Sequence, residues 1–280
     1  MTLPTIRSTL VAATSLAAVA MCLTPDLAHA CACGCGVFSV GAGNLMPDDA
    51  SGSVFVEYDF MNQSRNWTVT AEAPVWDRAF TTDTGDGVQT FRHSALGDVR
   101  LTATYTGLSQ DMSLGLIAGV KLPTGDHRYA NFDPDTEIST GSTDILLGAY
   151  KQGSLNRDGD LKYFAQAVWD KPLDWKSIYR PGEELNFAIG FSWAGWTFAG
   201  GKATLAPVVQ LIGSVRARDH GSDGHSDDSG YERAVLAPGL ELQSGPWRLF
   251  ADIGAPVYQR VNGNQLVAPV LFKTMLTRRF

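Results

Sequence analysis

The sequence predicts an all-β chain: a single transmembrane antiparallel up-and-down β-barrel of about 12 strands. Three observations predict it. Apolar and polar residues alternate with period two along most of the chain, which sends one set of side chains to each face of a sheet. Short and long connections alternate between these segments. The chain is 44% hydrophobic and only 18% charged. Even so, past its first thirty residues it has no apolar run near the roughly 18 residues that a spanning helix needs.

Residues 1–30 read as a cleaved signal peptide. Arg7 supplies the positive start, Ser8 to Met21 the apolar stretch, and Ala28-His29-Ala30 the small-x-small cleavage pattern. Two alternatives rank lower. The apolar core is short for a retained anchor. For a lipoprotein cut before Cys31, Ala28 stands where Leu is usual. Residues 31–52 form a Cys-rich N-terminal segment with a weak first strand through Val37–Ala42, and residues 53–280 form the barrel.

Further strands are expected at Val54–Phe60, Trp67–Val75, Val99–Tyr105, Leu114–Leu122, Asp144–Lys151, Leu161–Asp170, Leu185–Trp193, Ala203–Ala217, Arg233–Gln243, Trp247–Val257 and Leu266–Phe280. The clearest alternation is Leu185, Phe187, Ile189, Phe191 and Trp193 on one face, with Asn186, Ala188, Gly190 and Ser192 on the other. Short connections are expected at Met61–Asn66, Leu108–Asp111, Gln152–Gly159, Ala194–Gly200 and Ser244–Pro246. Long ones fall at Asp77–Leu96, Pro123–Thr140, Lys171–Glu183 and Arg218–Gly230. Membrane barrels have short periplasmic turns and longer outer loops. The parity works with both termini on the periplasmic side only if the weak first strand exists.

One face is almost wholly apolar, with Tyr58, Trp67, Tyr105, Trp169, Trp193, Trp247 and Phe280 near segment ends, as in interfacial aromatic girdles. The other face predicts lumen-facing residues of both signs: Glu57, Asp59, Glu72, Arg100, Lys121, Asp144, Lys162, Arg216, Arg248, Asp252 and Lys273. A water-soluble β-sandwich shows the same alternation with the apolar face turned inward. The barrel is favoured because the segments are near the 9–11 residues of a tilted membrane strand, against the 5–6 typical of soluble strands. The loop lengths and the terminal aromatic point the same way.

The stretch Gly119-Val120-Lys121-Leu122-Pro123-Thr124-Gly125-Asp126, followed by Gly141-Ser142-Thr143-Asp144 and Leu147-Gly148-Ala149-Tyr150, resembles the outer-membrane meta-pathway phenol-degradation transporter-like family. Gly97-Asp98-Val99 is similar to the same group, and close resemblance covers roughly residues 95–151. It implies a barrel linked to uptake of aromatic or other hydrophobic compounds. Phe280, closing the last strand, resembles the signature by which the outer-membrane assembly machinery recognises its clients. Pro123 and Gly125 serve to end and turn a strand, which any cargo would require.

Cys31, Cys33 and Cys35 are the sharpest chemical feature. Three thiols at alternate positions can wrap a soft cation such as Cu(I). The spacing is unusual for structural zinc, and an odd number cannot pair fully within one chain. A lipid-modified Cys31, or one local disulfide with a loose thiol, are the competing readings. No other cofactor is expected. The loop Asp219-His220-Gly221-Ser222-Asp223-Gly224-His225-Ser226-Asp227-Asp228 reads as a solvated outer loop rather than a cation site, and the acidic positions Asp126, Asp133, Asp135 and Glu137 read the same way. No enzyme is expected: G-x-S-x-G, H-E-x-x-H and glycine-rich phosphate loops are absent, and His93 and Ser94 would face opposite sides of a strand. With a net charge of −7 and no Lys/Arg cluster, nucleic acid is not an expected partner. The expected partners are outer-membrane lipid, the assembly machinery and a small-molecule solute. A metal-handling or redox barrel and a soluble exported sandwich are the alternatives.

Overall fold

The structure, a computed structural model, describes residues 52–62, 67–83, 88–127, 129, 137–175, 178–263, 265 and 270–278. The signal peptide, the three mature cysteines and Val37–Ala42 lie outside the described residues. So do Asp133, Asp135 and Phe280.

Thirteen strands make one sheet among the described residues. They are β1 (Gly52–Asn62), β2 (Trp67–Asp83), β3 (Val88–Leu96), β4 (Val99–Tyr105), β5 (Leu114–Leu122) and β6 (Asp144–Ser154). Then follow β7 (Leu161–Pro172), β8 (Glu184–Trp193), β9 (Trp196–Phe198), β10 (Ala203–Arg216), β11 (Tyr231–Ser244), β12 (Trp247–Val261) and β13 (Leu271–Arg278). A 3-10 turn at Ala199–Gly201 is the only helical element described. Every pairing is antiparallel, and the order is an up-and-down meander from β1 to β13. Two strands stand off this path, β3 on β2 and the three-residue β9 on β10. Among the described residues β1 and β13 do not pair, so the sheet has two edges.

Tight turns join β1 to β2, β6 to β7 and β11 to β12 and allow only antiparallel neighbours, while the longer connections at 123–143, 173–183 and 217–230 also return the chain to the adjacent strand. At the β11–β12 turn, Gly245 (φ +55°) supplies the left-handed residue that a two-residue hairpin needs. In the β4–β5 turn the exposed Asp111 is held at about pKa 2, below the usual carboxylate range. Hydrogen bonds from Ser113 and then Ser109 favour its ionised form.

The eleven strands expected downstream of Val37–Ala42 all form. The expected long connection Asp77–Leu96 does not. Its residues instead extend β2 to Asp83 and build β3, with Asp83 opposite Val88 across residues 84–87. Thr81, Thr82 and Thr90 read as loop by polarity, but β-branched residues suit a pleated ladder. The strand then breaks at Gly97-Asp98, although Gly97 N–H still donates to Pro74 O at 2.8 Å. β4 takes over the same edge of β2, from Glu72↔Arg100 to Trp67↔Tyr105.

The two faces have opposite characters. Leu116, Leu147, Ile189, Leu236 and Ile253 on one face are 43–50% exposed, whereas Arg100, Lys121 and Asp144 on the other are 2–5% exposed. The polar face is concave. Arg100 on β4 reaches Asp170 on β7 at 3.5 Å, although three strand spacings would separate them by about 14 Å on a flat sheet. Tyr231 on β11 likewise reaches Glu184 on β8.

Aromatic rings lie over glycines on the directly opposed strand: Tyr150 over Gly115, Phe164 over Gly190 and Phe187 over Gly213. The missing side chain makes room for the ring, and the ring covers backbone the glycine would leave bare. A Cβ at Gly190 would fall inside the Phe164 ring and 2.8 Å from the Val209 carbonyl oxygen. Gly190→Ala is therefore expected to lower stability by about 1–3 kcal/mol. Urea unfolding of the folded protein checks this, and an unchanged midpoint would count against the packing account.

Candidate functional site

Register builds a band of charge on the concave face. Glu72 lies opposite Arg100, Arg100 opposite Lys121, and Lys121 opposite Asp144. Four of the residues predicted to line a lumen thus stand in one row across β2, β4, β5 and β6. Glu57 on β1 extends the row by backbone register, opposite Glu72. Cross-strand neighbours of opposite sign attract. The adjacent cations Arg100 and Lys121 are tolerated because each turns to a different carboxylate: Arg100 to Asp170 at 3.5 Å, Lys121 to Asp144 and, at 3.9 Å, to Asp98.

The 123–143 connection folds onto this row. Asp98 Oδ1 accepts from Gly125 N–H at 3.1 Å and Ser139 Oγ–H at 2.5 Å. Lys121 Nζ donates to Thr140 Oγ1 at 2.8 Å, and Ser142 Oγ–H donates to Asp144 Oδ1 at 2.6 Å. Ser139 and Ser142 are fully buried. Asp98 and Asp144 are thus surrounded by donors, which is the condition for keeping a buried carboxylate. Asp170 Oδ1 is buried without a hydrogen-bond partner among the described residues.

A second centre gathers the connections at residues 173–183 and 217–230. Asp219 accepts from Tyr179 O–H at 2.9 Å, Gly182 N–H at 2.7 Å, and Arg216 Nη2 at 3.0 and 3.1 Å. Its own N–H donates to Ser229 Oγ at 2.9 Å. The expectation of a solvated loop is therefore corrected at its first residue. Asp219 is buried because both connections need an acceptor where their backbones meet. His220, Asp223, His225, Asp227 and Asp228 are exposed as that reading had them. Glu137, read as solvated, is also buried, accepting from Tyr129 N–H at 3.1 Å. Next to Asp219, Glu184 accepts from Ser214 Oγ–H and from Tyr231 O–H at 3.0 Å.

Toward the other end of the concave face, Asp252 meets Lys273 at 3.3 Å and accepts from Gln210 Nε2 at 2.7 Å. Arg248 lies 3.2 Å from Glu241. Phe164 and Phe250, with Ala188 and Val208, form an apolar cluster between these polar groups. The concave face is thus filled with side chains in this region.

Of the other predicted lumen residues, Arg216, Arg248, Asp252 and Lys273 join these pairs. Lys162 is exposed near the start of β7. The side chains of Glu57 and Asp59, and the candidate metal ligands Cys31, Cys33 and Cys35, lie outside the described residues. Among the described residues no three His, Cys, Asp or Glu are grouped to hold a metal. Sequence reasoning missed Asp170, Glu184 and Asp219, which sit at strand ends or in loops where period two gives no signal. His93, set aside on sequence, pairs with Asp126 at 2.8 Å and stacks on Tyr129 with ring centroids 3.7 Å apart. This contact braces the β2–β3 hairpin against the 123–143 connection.

Removing a buried ion's partner leaves an uncompensated charge. Lys121→Met is expected to cost about 3–5 kcal/mol through Asp98 and Asp144, read as a lower urea midpoint. A triple variant that also changes both aspartates to Asn should recover much of that loss. Failure to recover it would sink the charge account in favour of a packing one. No family model matches the chain, and no curated protein does.

Proposed function

We propose that the chain is an outer-membrane β-barrel that carries small solutes, with aromatic or other hydrophobic compounds as the class its motifs resemble. One observation carries the membrane part: the large apolar side chains are exposed on one face and the charged ones buried on the other. Among the described residues 32 large hydrophobic side chains are more than a third exposed, most of them on the apolar face of the strands, and an exposed apolar face of that extent marks a membrane or protein contact. A sandwich in water would bury that face against a second sheet. Aromatic residues support the same reading. Trp67 and Tyr105 meet at 4.9 Å, Trp193 and Trp196 at 5.0 Å, and all lie at the short-turn end of the sheet, where an interfacial belt belongs.

The charged band supports a polar passage. Charge rings and pairs in a pore set which solutes cross. Among the described side chains the row and its partners hold four carboxylates (Glu72, Asp98, Asp144, Asp170) against two cations (Arg100, Lys121). This balance favours cations over anions at that level.

Purified protein is expected to migrate differently on gels before and after heating in detergent, to be recovered with outer membranes, and to give cation-preferring conductance in planar bilayers. Migration unaffected by heat and recovery in the soluble fraction would overturn the barrel. Folded protein with neither conductance nor solute uptake would overturn transport alone. A second reading keeps the barrel and gives Cys31, Cys33 and Cys35 a metal-handling or redox role. It rests on three thiols within five residues, an odd number in an oxidising compartment. Native mass spectrometry of the mature protein checks it: bound copper or zinc supports the role, and a diacylglyceryl mass on Cys31 removes it.

A further inference from the structure

Two carboxylates face each other in the concave wall, between the Lys121 row and the Asp219 centre. Asp170 on β7 lies directly opposite Glu184 on β8. Like charges so placed repel, since directly opposed Cβ atoms stand only about 4.5–5.5 Å apart. The cations nearest to them are turned toward other acids. Arg216 is opposite Glu184 on its other side, yet its Nη2 goes to Asp219 at 3.0 and 3.1 Å. Lys121 goes to Asp144 and, at 3.9 Å, to Asp98. Arg100 comes from three strands away and meets Asp170 through Oδ2 at 3.5 Å. Glu184 Oε1 accepts from the hydroxyls of Ser214 and Tyr231, which donate without neutralising it. Asp170 Oδ1 is left as a buried oxygen with no hydrogen-bond partner among the described residues, on a residue only 7% exposed. A carboxylate oxygen held out of water without a donor is costly.

Resting on the passage proposed above, we infer that Asp170 and Glu184 form a binding site for the ammonium group of a primary amine. Such a group supplies both things the pair lacks, a positive charge and N–H donors, one of them for Asp170 Oδ1. A metal ion fits less well. Among the described residues no three His, Cys, Asp or Glu are grouped to hold one, and an ion such as calcium takes about six to eight oxygens. An ammonium group is satisfied by two or three acceptors. The flank of the site is apolar: Leu146 lies directly opposite Asp170 on β6, and with Ile117 and Val168 it forms a buried cluster. Low polarity on that side strengthens the attraction between a carboxylate and a cation. Access is from the concave side, where Glu184 is half-buried and Asp170 buried. A cation therefore meets Glu184 first and Asp170 beneath it.

Saturation-transfer NMR on the full mature chain folded in detergent reads binding without needing a current. Methylammonium is expected to give a saturable signal. Tetramethylammonium, which has the charge but no N–H, is expected to give none. The half-saturating concentration of methylammonium is expected to rise about tenfold or more in Asp170→Asn and in Glu184→Gln, the value of one charge-assisted hydrogen bond. Equal signals from the two ions overturn the inference, as does a methylammonium signal unchanged in both variants or absent from the wild type. If Asp170→Asn fails to fold because Arg100 loses its partner, Glu184→Gln still decides, since Gln keeps an acceptor for Ser214 and Tyr231. The site and the passage fail separately. Methylammonium binding in a protein without conductance sinks the passage and leaves the site. Conductance without methylammonium binding sinks the site and leaves the passage.

Discussion

A charge taken out of water must meet an opposite charge or a set of donors, and this sheet satisfies that demand through register. Glu72, Arg100, Lys121 and Asp144 are directly opposed on successive strands. A slip of one residue anywhere between β2 and β6 would turn part of this set to the apolar face. It would strand ions among leucines and valines and bury apolar groups among ions. The row therefore fixes the pairing of these strands more sharply than apolar packing alone, since the exposed Leu and Val of the other face have no specific partner to prefer.

Curvature and loop placement follow from the same row. Arg100 reaches Asp170 across two intervening strands only because the polar face is concave. Asp98 and Asp144 lie at the long-connection end and draw the 123–143 connection onto the wall through Gly125, Ser139 and Ser142. Asp219 repeats the arrangement for the next two connections, through Tyr179, Gly182 and Arg216. Connections that look like plain outer loops are thus each held by a buried aspartate. The Gly-Ser-Thr-Asp sequence at 141–144 has a physical reason in this: small hydroxyl residues can approach a buried carboxylate and donate to it.

How much of this was legible in the sequence depends on the residue. Lys121, Asp144, Arg100 and Glu72 were readable, since each sits inside an alternating segment on the face opposite its leucines and valines. Asp170 and Glu184 sit at strand ends, where alternation stops carrying information. Asp219 lies in a Gly/Ser/Asp stretch whose composition says solvent. The β2–β3 hairpin was missed for a related reason: its threonines read as loop, whereas hydrogen bonding to a neighbouring strand does not depend on hydropathy.

The sequence by itself determined eleven of the thirteen described strands, which face of each of these is apolar, and the up-and-down order. These follow from period-two alternation and from the tight turns that alternate with the longer connections. Tertiary structure alone decided which charge meets which. Register aligns residues tens of positions apart, and no local pattern encodes the offset between strands. It also decided that the exposed face is the apolar one and the buried face the charged one. Alternation is symmetric under exchange of the two sides, so only the curl of the sheet, concave toward Lys121 and Asp144, distinguishes inside from outside.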